Sequence, residues 1–185
     1  MMFAVMQNTG LRPLEQVQEQ ASSIASRGSR PASLWWTCAD DVWDSALESI
    51  TPERSAIRLS TPRLKGPEAI VQVQEALDYS VQDIGVQHLV LCGHSRCSGL
   101  HSAPKTASNS DAHVNPLVRG VMRREKENRD AQSALLQNLR LIADCSTVAN
   151  AVAAGTLTLH AIFYLAESGV FLRFDEVGSK FVSFD

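Results

Sequence analysis

The apolar positions along the chain change period several times, and each change predicts an element. Residues Leu14 to Ala25 form a helical pattern that is polar on most sides. The run RGSRPAS, Arg27 to Ser33, is a loop signal. SLWWTC, Ser33 to Cys38, reads as a short buried strand, because adjacent tryptophans favour the pleated conformation. SAIRLS, Ser55 to Ser60, is a second, shorter strand. Pro67 then opens a helix whose apolar residues Ile70, Val73, Leu77, Val81 and Ile84 recur at helical spacing. Gly85 stands where a left-handed C-cap belongs. HLVLC, His88 to Cys92, is apolar on both faces, as a strand of a covered parallel sheet must be. Strand, helix, strand in this order is the βαβ pattern.

Beyond it, Pro104 to Pro116 is a polar loop, and Arg123 to Asp130 is a mixed charge run read as a solvated helix face. Ala131 to Ile142 forms a helix with Leu135, Leu139 and Ile142 on one side. A short helix from about Thr147 to Ala154 ends at Gly155, with Ser146 as its N-cap. TLTLHAIFYL and VFLRFD are two strands joined by a tight turn at Glu167-Ser168-Gly169. No internal repeat interrupts this order.

Composition narrows the possibilities. A chain of 185 residues suits one domain with a real core. A net charge of −3 gives no general attraction to nucleic acid or to anionic membranes, and neither is expected as a partner. The apolar runs are too short to span a bilayer. The start, MMFAVMQNTGLRPLEQ, lacks a basic segment followed by a cleavable apolar stretch, so a cytoplasmic location is expected. In such a compartment the four cysteines are core residues, metal ligands or nucleophiles rather than disulfides.

Chemistry gathers at strand ends, where ligands of open parallel sheets bind. Cys38 closes the first strand, and His94 and Cys97 follow the third, 56 residues after Cys38 in the case of His94. Two thiolates and an imidazole are a natural set for Zn²⁺, and three protein ligands leave a fourth position for water. Free cysteine is also among the most buried residue types, and H-x-x-C alone is a weak signal. Spacing by itself leaves both readings open.

CGHSRCSGL, Cys92 to Leu100, resembles the second zinc motif of β-class carbonic anhydrases, in which a strand runs into G-H-x-x-C-G-G. CAD, Cys38 to Asp40, resembles the start of that family's first motif, C-x-D-x-R. The likeness includes the helix and strand before Gly93 and returns in VANAVAAGTLTLHAIFYLAESGVFLRFD, Val148 to Asp175. It implies an α/β fold: a Rossmann-like core with a mainly parallel β-sheet flanked by helices, in a single domain over residues 1–185 with an N-terminal helical arm at 1–32. It implies Zn²⁺ on Cys38, His94 and Cys97, and reversible hydration of CO₂ to bicarbonate by water activated on the metal. Asp40 takes the catalytic role of orienting the zinc-bound species, and the motif arginine holds that aspartate. Homodimers are the implied minimal unit. The adjacent Trp35 and Trp36 also need cover on opposite faces, from a partner subunit or the N-terminal helix.

The departures fall on the mechanism. Val42 stands where the motif arginine is expected, Leu59-Ser60-Thr61-Pro62 replaces the family's polar segment after the second strand, and Ser98 replaces a glycine. Arg54, Arg58 and Arg63 are the nearest substitutes for the missing guanidinium. Without it, Asp40 becomes a possible fourth ligand that closes the site. Two functions follow as expectations: a carbonic anhydrase, weak or acting on a similar molecule such as COS or CS₂, and an impaired zinc-binding homologue with a structural or regulatory role. Cys92 is expected in the core, Cys145 at helix packing or the surface, and His160 in the core; His88, His101 and His113 have no partner pattern. Arg96, inside the H-x-x-C step, faces either the pocket or solvent.

Overall fold

The computed structural model describes residues 11–50, 55–62, 64–97, 100 and 116–184. Six strands form one sheet in the order β2-β1-β3-β4-β5-β6. They are β1 Ser33–Cys38, β2 Ala56–Thr61, β3 His88–His94, β4 Thr158–Leu165, β5 Val170–Asp175 and β6 Lys180–Ser183. The first four strands of that order run parallel, and β5 and β6 add an antiparallel edge. This is the α/β, mainly parallel, helix-flanked arrangement that the resemblance implies, and it contains the βαβ unit that the pattern predicts. β6 was not expected; its four residues are too few to declare a period.

The order of the strands matters for the site. The chain leaves β1, forms β2 on one side, then returns across β1 to form β3 on the other. The crevice between the carboxyl ends of β1 and β3 is therefore a topological switch point, where open α/β sheets bind ligands. Both strands are buried on both faces apart from His88, which explains their continuous apolar runs.

Helix α1, Pro13–Ser26, packs on β2 and on α3, Pro67–Asp78. It seals the sheet edge by an unusual means. Gln20 accepts from the Arg58 N–H (2.8 Å) and donates to the Arg58 carbonyl (2.6 Å). Gln16 does the same to Ser60, at 3.2 and 3.3 Å. Two amides one helical turn apart thus satisfy an edge strand that would otherwise offer open backbone groups. α3 continues as a π-helical turn, Tyr79–Ile84, and ends at Gly85, whose φ of 73° is the expected left-handed cap.

Both tryptophans of β1 are covered within the chain: Trp36 is fully buried and Trp35 is 7% exposed. Their indoles donate to Thr61 Oγ1 (2.8 Å) and Ser33 Oγ (3.0 Å). The pair therefore gives no argument for a partner subunit.

The charge run and the following apolar pattern belong to one helix, α4, Pro116–Ala143. Its second half buries Ala131, Ala134, Leu135, Asn138 and Ile142. Its first half is held where no core supports it by pairs such as Arg123–Glu127 (2.8 Å). Leu135 is what Gly93 makes room for: a Cβ at Gly93 would lie 2.9 Å from Leu100 Cδ1 and 3.2 Å from the Leu135 methyls. Helix α5 begins one residue earlier than expected: it spans Ser146–Ala153, with Cys145 rather than Ser146 at the N-cap and no side-chain capping bond. The short helix α2, Trp43–Ala46, follows β1 directly. The expected loop at 104–115, together with Arg54, Arg63, Ser98, His101 and His113, lies outside the described residues.

His160 is not a core histidine. It lies on the uncovered amino-terminal half of β4, is exposed, and meets His88 with ring nitrogens 3.2 Å apart. Partial burial of the ring, then the charge of His88, hold its pKa below the ordinary value, against a small opposing pull from Glu176. The folded protein thus prefers His160 neutral. Its contribution to stability is present above the unfolded value of about 6.5 and is lost as pH falls below it. His160→Gln should lose less stability than the wild type between pH 7.5 and 5.5. Urea unfolding of both proteins at the two pH values measures the difference, and equal losses would refute the assignment.

Candidate metal centre

Cys38 is the last residue of β1 and His94 the last of β3, and these strands are direct neighbours in the sheet. Their side chains meet although the two residues stand 56 positions apart in the sequence: His94 Nε2 lies 3.1 Å from Cys38 Sγ and 2.9 Å from Asp40 Oδ2. A turn closed by Cys97 N–H to the His94 carbonyl (3.3 Å) brings in the second thiol. Cys38, Asp40, His94 and Cys97 each offer one ligand atom, and these atoms all lie within 4.8 Å of one another. Donors around a tetrahedral zinc stand about 3.3–3.8 Å apart, so the widest pair need close by only about an ångström.

The electrostatics fit a cation. Contact with Cys97, then burial, push the Cys38 thiol far above its ordinary range. Burial alone depresses the His94 imidazole, but the bond to Cys38, the charge of Cys38, the Ser95 carbonyl and the charge of Asp40 together raise it. Acidic donors that raise one another's proton affinity in a buried crevice are stabilised as anions by a dication. Sulfur, nitrogen and carboxylate oxygen are also the donors that zinc prefers. The residues present fit Zn²⁺.

The His94 ring is prepared for such a role. Its Nδ1–H donates to the Ser95 carbonyl at 2.7 Å, which leaves the Nε2 lone pair directed at the thiols and Asp40. Three of the four ligand-bearing residues, Cys38, His94 and Cys97, are buried, while Asp40 keeps about a third of its side chain exposed (32%) at the mouth.

Sequence reasoning passed over Trp43. It is buried, donates its indole N–H to Cys38 Sγ at 3.2 Å, and sets its ring edge-on to His94 with centroids 5.6 Å apart. It also touches the Tyr164 ring at 6.0 Å. One signal was available: a tryptophan five residues past Cys38, beside three aspartates. Arg58, matched earlier as a substitute cation, reaches the Trp43 carbonyl at 3.4 Å. Val42 is half-buried against the core at the start of α2. Cys92 lies in the core as expected, its thiol pushed up by burial, and it does not join the ligand group. Cys145 is half-buried, with its thiol directed to the Leu141 carbonyl.

Behind the ligands lies another group that sequence reading did not find. Ser95 Oγ donates to Glu167 Oε2 at 2.6 Å and accepts from the Ala166 N–H at 3.0 Å. Arg96 Nε donates to Glu167 Oε1 at 3.1 Å, so Arg96 faces the β4–β5 turn rather than the ligands. Burial raises the Glu167 carboxyl, but the Ser95 hydroxyl, its own backbone N–H and Arg96 more than offset this and lower it.

Known proteins share the fold. A solved β-carbonic anhydrase, CcaA, superposes with a TM-score of 0.62 at 20% identity over 90% of each chain. A structure of two tetrameric β-carbonic anhydrases from the ascomycete Sordaria macrospora matches with a TM-score of 0.55 at 19% identity, over 92% of this chain and 94% of that one. The chloroplastic β-carbonic anhydrase 5 of Arabidopsis thaliana is 28% identical over 124 residues, which cover 62% of this chain and 38% of the relative's length. The chain thus matches well under half of that relative. The family model described as carbonic anhydrase matches residues 66–171, which include His94 and Cys97 and the Glu167 turn but not Cys38 or Asp40. That match spans more than half of the sequence, and with the β-class structures around it the chain belongs to the carbonic anhydrase family, as a divergent member of its β class.

Proposed function

We propose that the protein catalyses the reversible hydration of CO₂ to bicarbonate on a zinc ion held by Cys38, His94 and Cys97, and that Asp40 restrains this activity in the resting state. The observation that carries the reading is the convergence of exactly these donors at the β1–β3 switch point. When bound, zinc lowers the pKa of water enough to supply the nucleophile near neutral pH. The chain's own residues do the rest. His94 is fixed in the tautomer that presents Nε2. Trp43 closes the back of the crevice and steadies the Cys38 sulfur with its N–H. Asp40, at the exposed mouth, accepts hydrogen bonds there and orients what enters.

A second reading is a zinc-binding homologue without useful activity, in a structural or regulatory role. Val42 favours it: the residue two past Asp40 carries no guanidinium and packs on the core instead. Stopped-flow CO₂ hydration by zinc-replete protein decides between them. Catalysis above the buffer rate that disappears in Cys38→Ser supports the enzyme. No catalysis in either protein removes it, and COS and CS₂ are then the substrates to assay.

The same reading makes the protein a homodimer or higher even oligomer in a reducing compartment such as the cytoplasm. Free cysteines favour the compartment. Among the described residues no helix is long and apolar enough to cross a membrane. Val118, Val121 and Met122 lie exposed on the first half of α4, an apolar strip of the kind that partners cover. Light scattering at micromolar concentration should give an even multiple of the 20.2 kDa chain; a monomer would refute the assembly.

A further inference from the structure

The two residues between His94 and Cys97 are anchored to the neighbouring strand β4 and the β4–β5 turn, and this anchoring has a purpose. Ser95 extends the β3–β4 ladder one step past His94, through its N–H to the Tyr164 carbonyl at 2.9 Å. Its hydroxyl is pinned twice, to Glu167 and to the Ala166 N–H. Its carbonyl receives the Nδ1–H of His94. Every polar group of this buried residue is thus committed, and the last commitment sets the histidine tautomer. Arg96 holds a φ of 60°, a left-handed conformation that a non-glycine residue adopts only when its surroundings impose it. The same Glu167 carboxylate reaches it with its other oxygen. The Arg96 geometry fixes the path by which the chain turns from His94 to Cys97.

We propose that Glu167, in the β4–β5 turn, is a positioning residue for the metal centre, one carboxylate that locks both residues of the H-x-x-C step and thereby aims His94 and Cys97 at the ion. The inference rests on the ligand reading above. Glu167 touches no ligand atom; it acts through Ser95 and Arg96. Partners of this type typically contribute about 10–100-fold to metal affinity.

The test uses zinc-loaded full-length protein and three variants: Glu167→Ala, Glu167→Gln and Ser95→Ala. Zinc transfer to a competing chelator gives affinity, and the visible spectrum of the cobalt(II)-substituted protein reports ligand geometry. Glu167→Ala should weaken zinc about 10–100-fold and shift the cobalt bands. Glu167→Gln keeps an acceptor for the Ser95 hydroxyl but loses the ion pair with Arg96, and should fall between Glu167→Ala and the wild type. Ser95→Ala removes one hydroxyl and should repeat the weakening, so the test stands even where Glu167→Ala folds poorly. Wild-type affinity and an unchanged cobalt spectrum in Glu167→Ala or Ser95→Ala would overturn the proposal. A wild-type protein whose zinc does not depend on Cys38 would overturn the ligand reading instead, so the two failures are distinct.

Discussion

Cys38→Ser and Cys97→Ser proteins should purify with little zinc, whereas the wild type and Cys92→Ser should carry about one ion per chain, as a three-ligand site requires. The contrast is the informative part. Cys38 and Cys97 belong to the ligand group, and Cys92, equally buried and only two residues before His94, does not. Serine offers a hard, weakly acidic oxygen in place of a thiolate, so the site loses a soft anionic donor. In Cys92→Ser the cost is of a different kind. A hydroxyl enters an apolar core, which destabilises by about 1–3 kcal/mol without touching the metal. Elemental analysis after gel filtration reads the stoichiometry, and thermal unfolding reads the core effect. Full zinc in Cys38→Ser would remove the ligand assignment outright. Loss of zinc from Cys92→Ser alone would place the ion elsewhere.

The second large effect concerns the fourth position. Zinc-loaded wild type should hydrate CO₂ weakly near neutral pH, and Val42→Arg, alone or with Asp41→Ser, should raise the rate about tenfold or more. Asp40 Oδ2 stands 2.9 Å from the His94 nitrogen, inside the ligand group, where it would compete with water for a bound zinc. A guanidinium two residues along would add a partner for the carboxylate beyond the contacts Asp40 already makes. Hydrogen bonds to charged groups contribute about 1.5–3 kcal/mol. Transferred to the balance between carboxylate and water on zinc, that is about a ten- to hundredfold change. Val42 begins α2 with helical dihedrals, half-buried on the core. An arginine there can keep its stem over the apolar surface and extend its head toward Asp40. X-ray absorption of the resting wild type should count two sulfurs and two lighter ligands that include a carboxylate. A full rate in the wild type, unchanged by Val42→Arg, would mean that Asp40 does not close the site.

Much of this protein was legible from its residues alone. β1 matches SLWWTC end to end, and α3 with its π-helical turn runs from Pro67 to the Gly85 cap, because period, proline and glycine are local instructions. Strand ends are local too, so Cys38, His94 and Cys97 stood out as candidates, the resemblance to the β-class motifs added Asp40 and the zinc reading, and the structure brings those four together. What local pattern does not carry is which surfaces meet. β6 is too short to show a period, and His160 sits in an apolar run yet faces no cover. The charged start of α4 looked separate from its apolar end because burial, not helicity, changes along it. Trp43 and Glu167 matter because of where an indole N–H and a carboxylate finish after the chain has folded back on itself. Glu167 lies 72 residues from Ser95, and only the parallel register of β3 with β4 puts that turn behind the metal loop. Residue types and spacing marked candidate donors at the strand ends, and the family resemblance turned them into a zinc reading. The tertiary structure decided which side chains hold those donors in place, since hydrogen-bond partners at such separation follow from strand order and register rather than from any local signal.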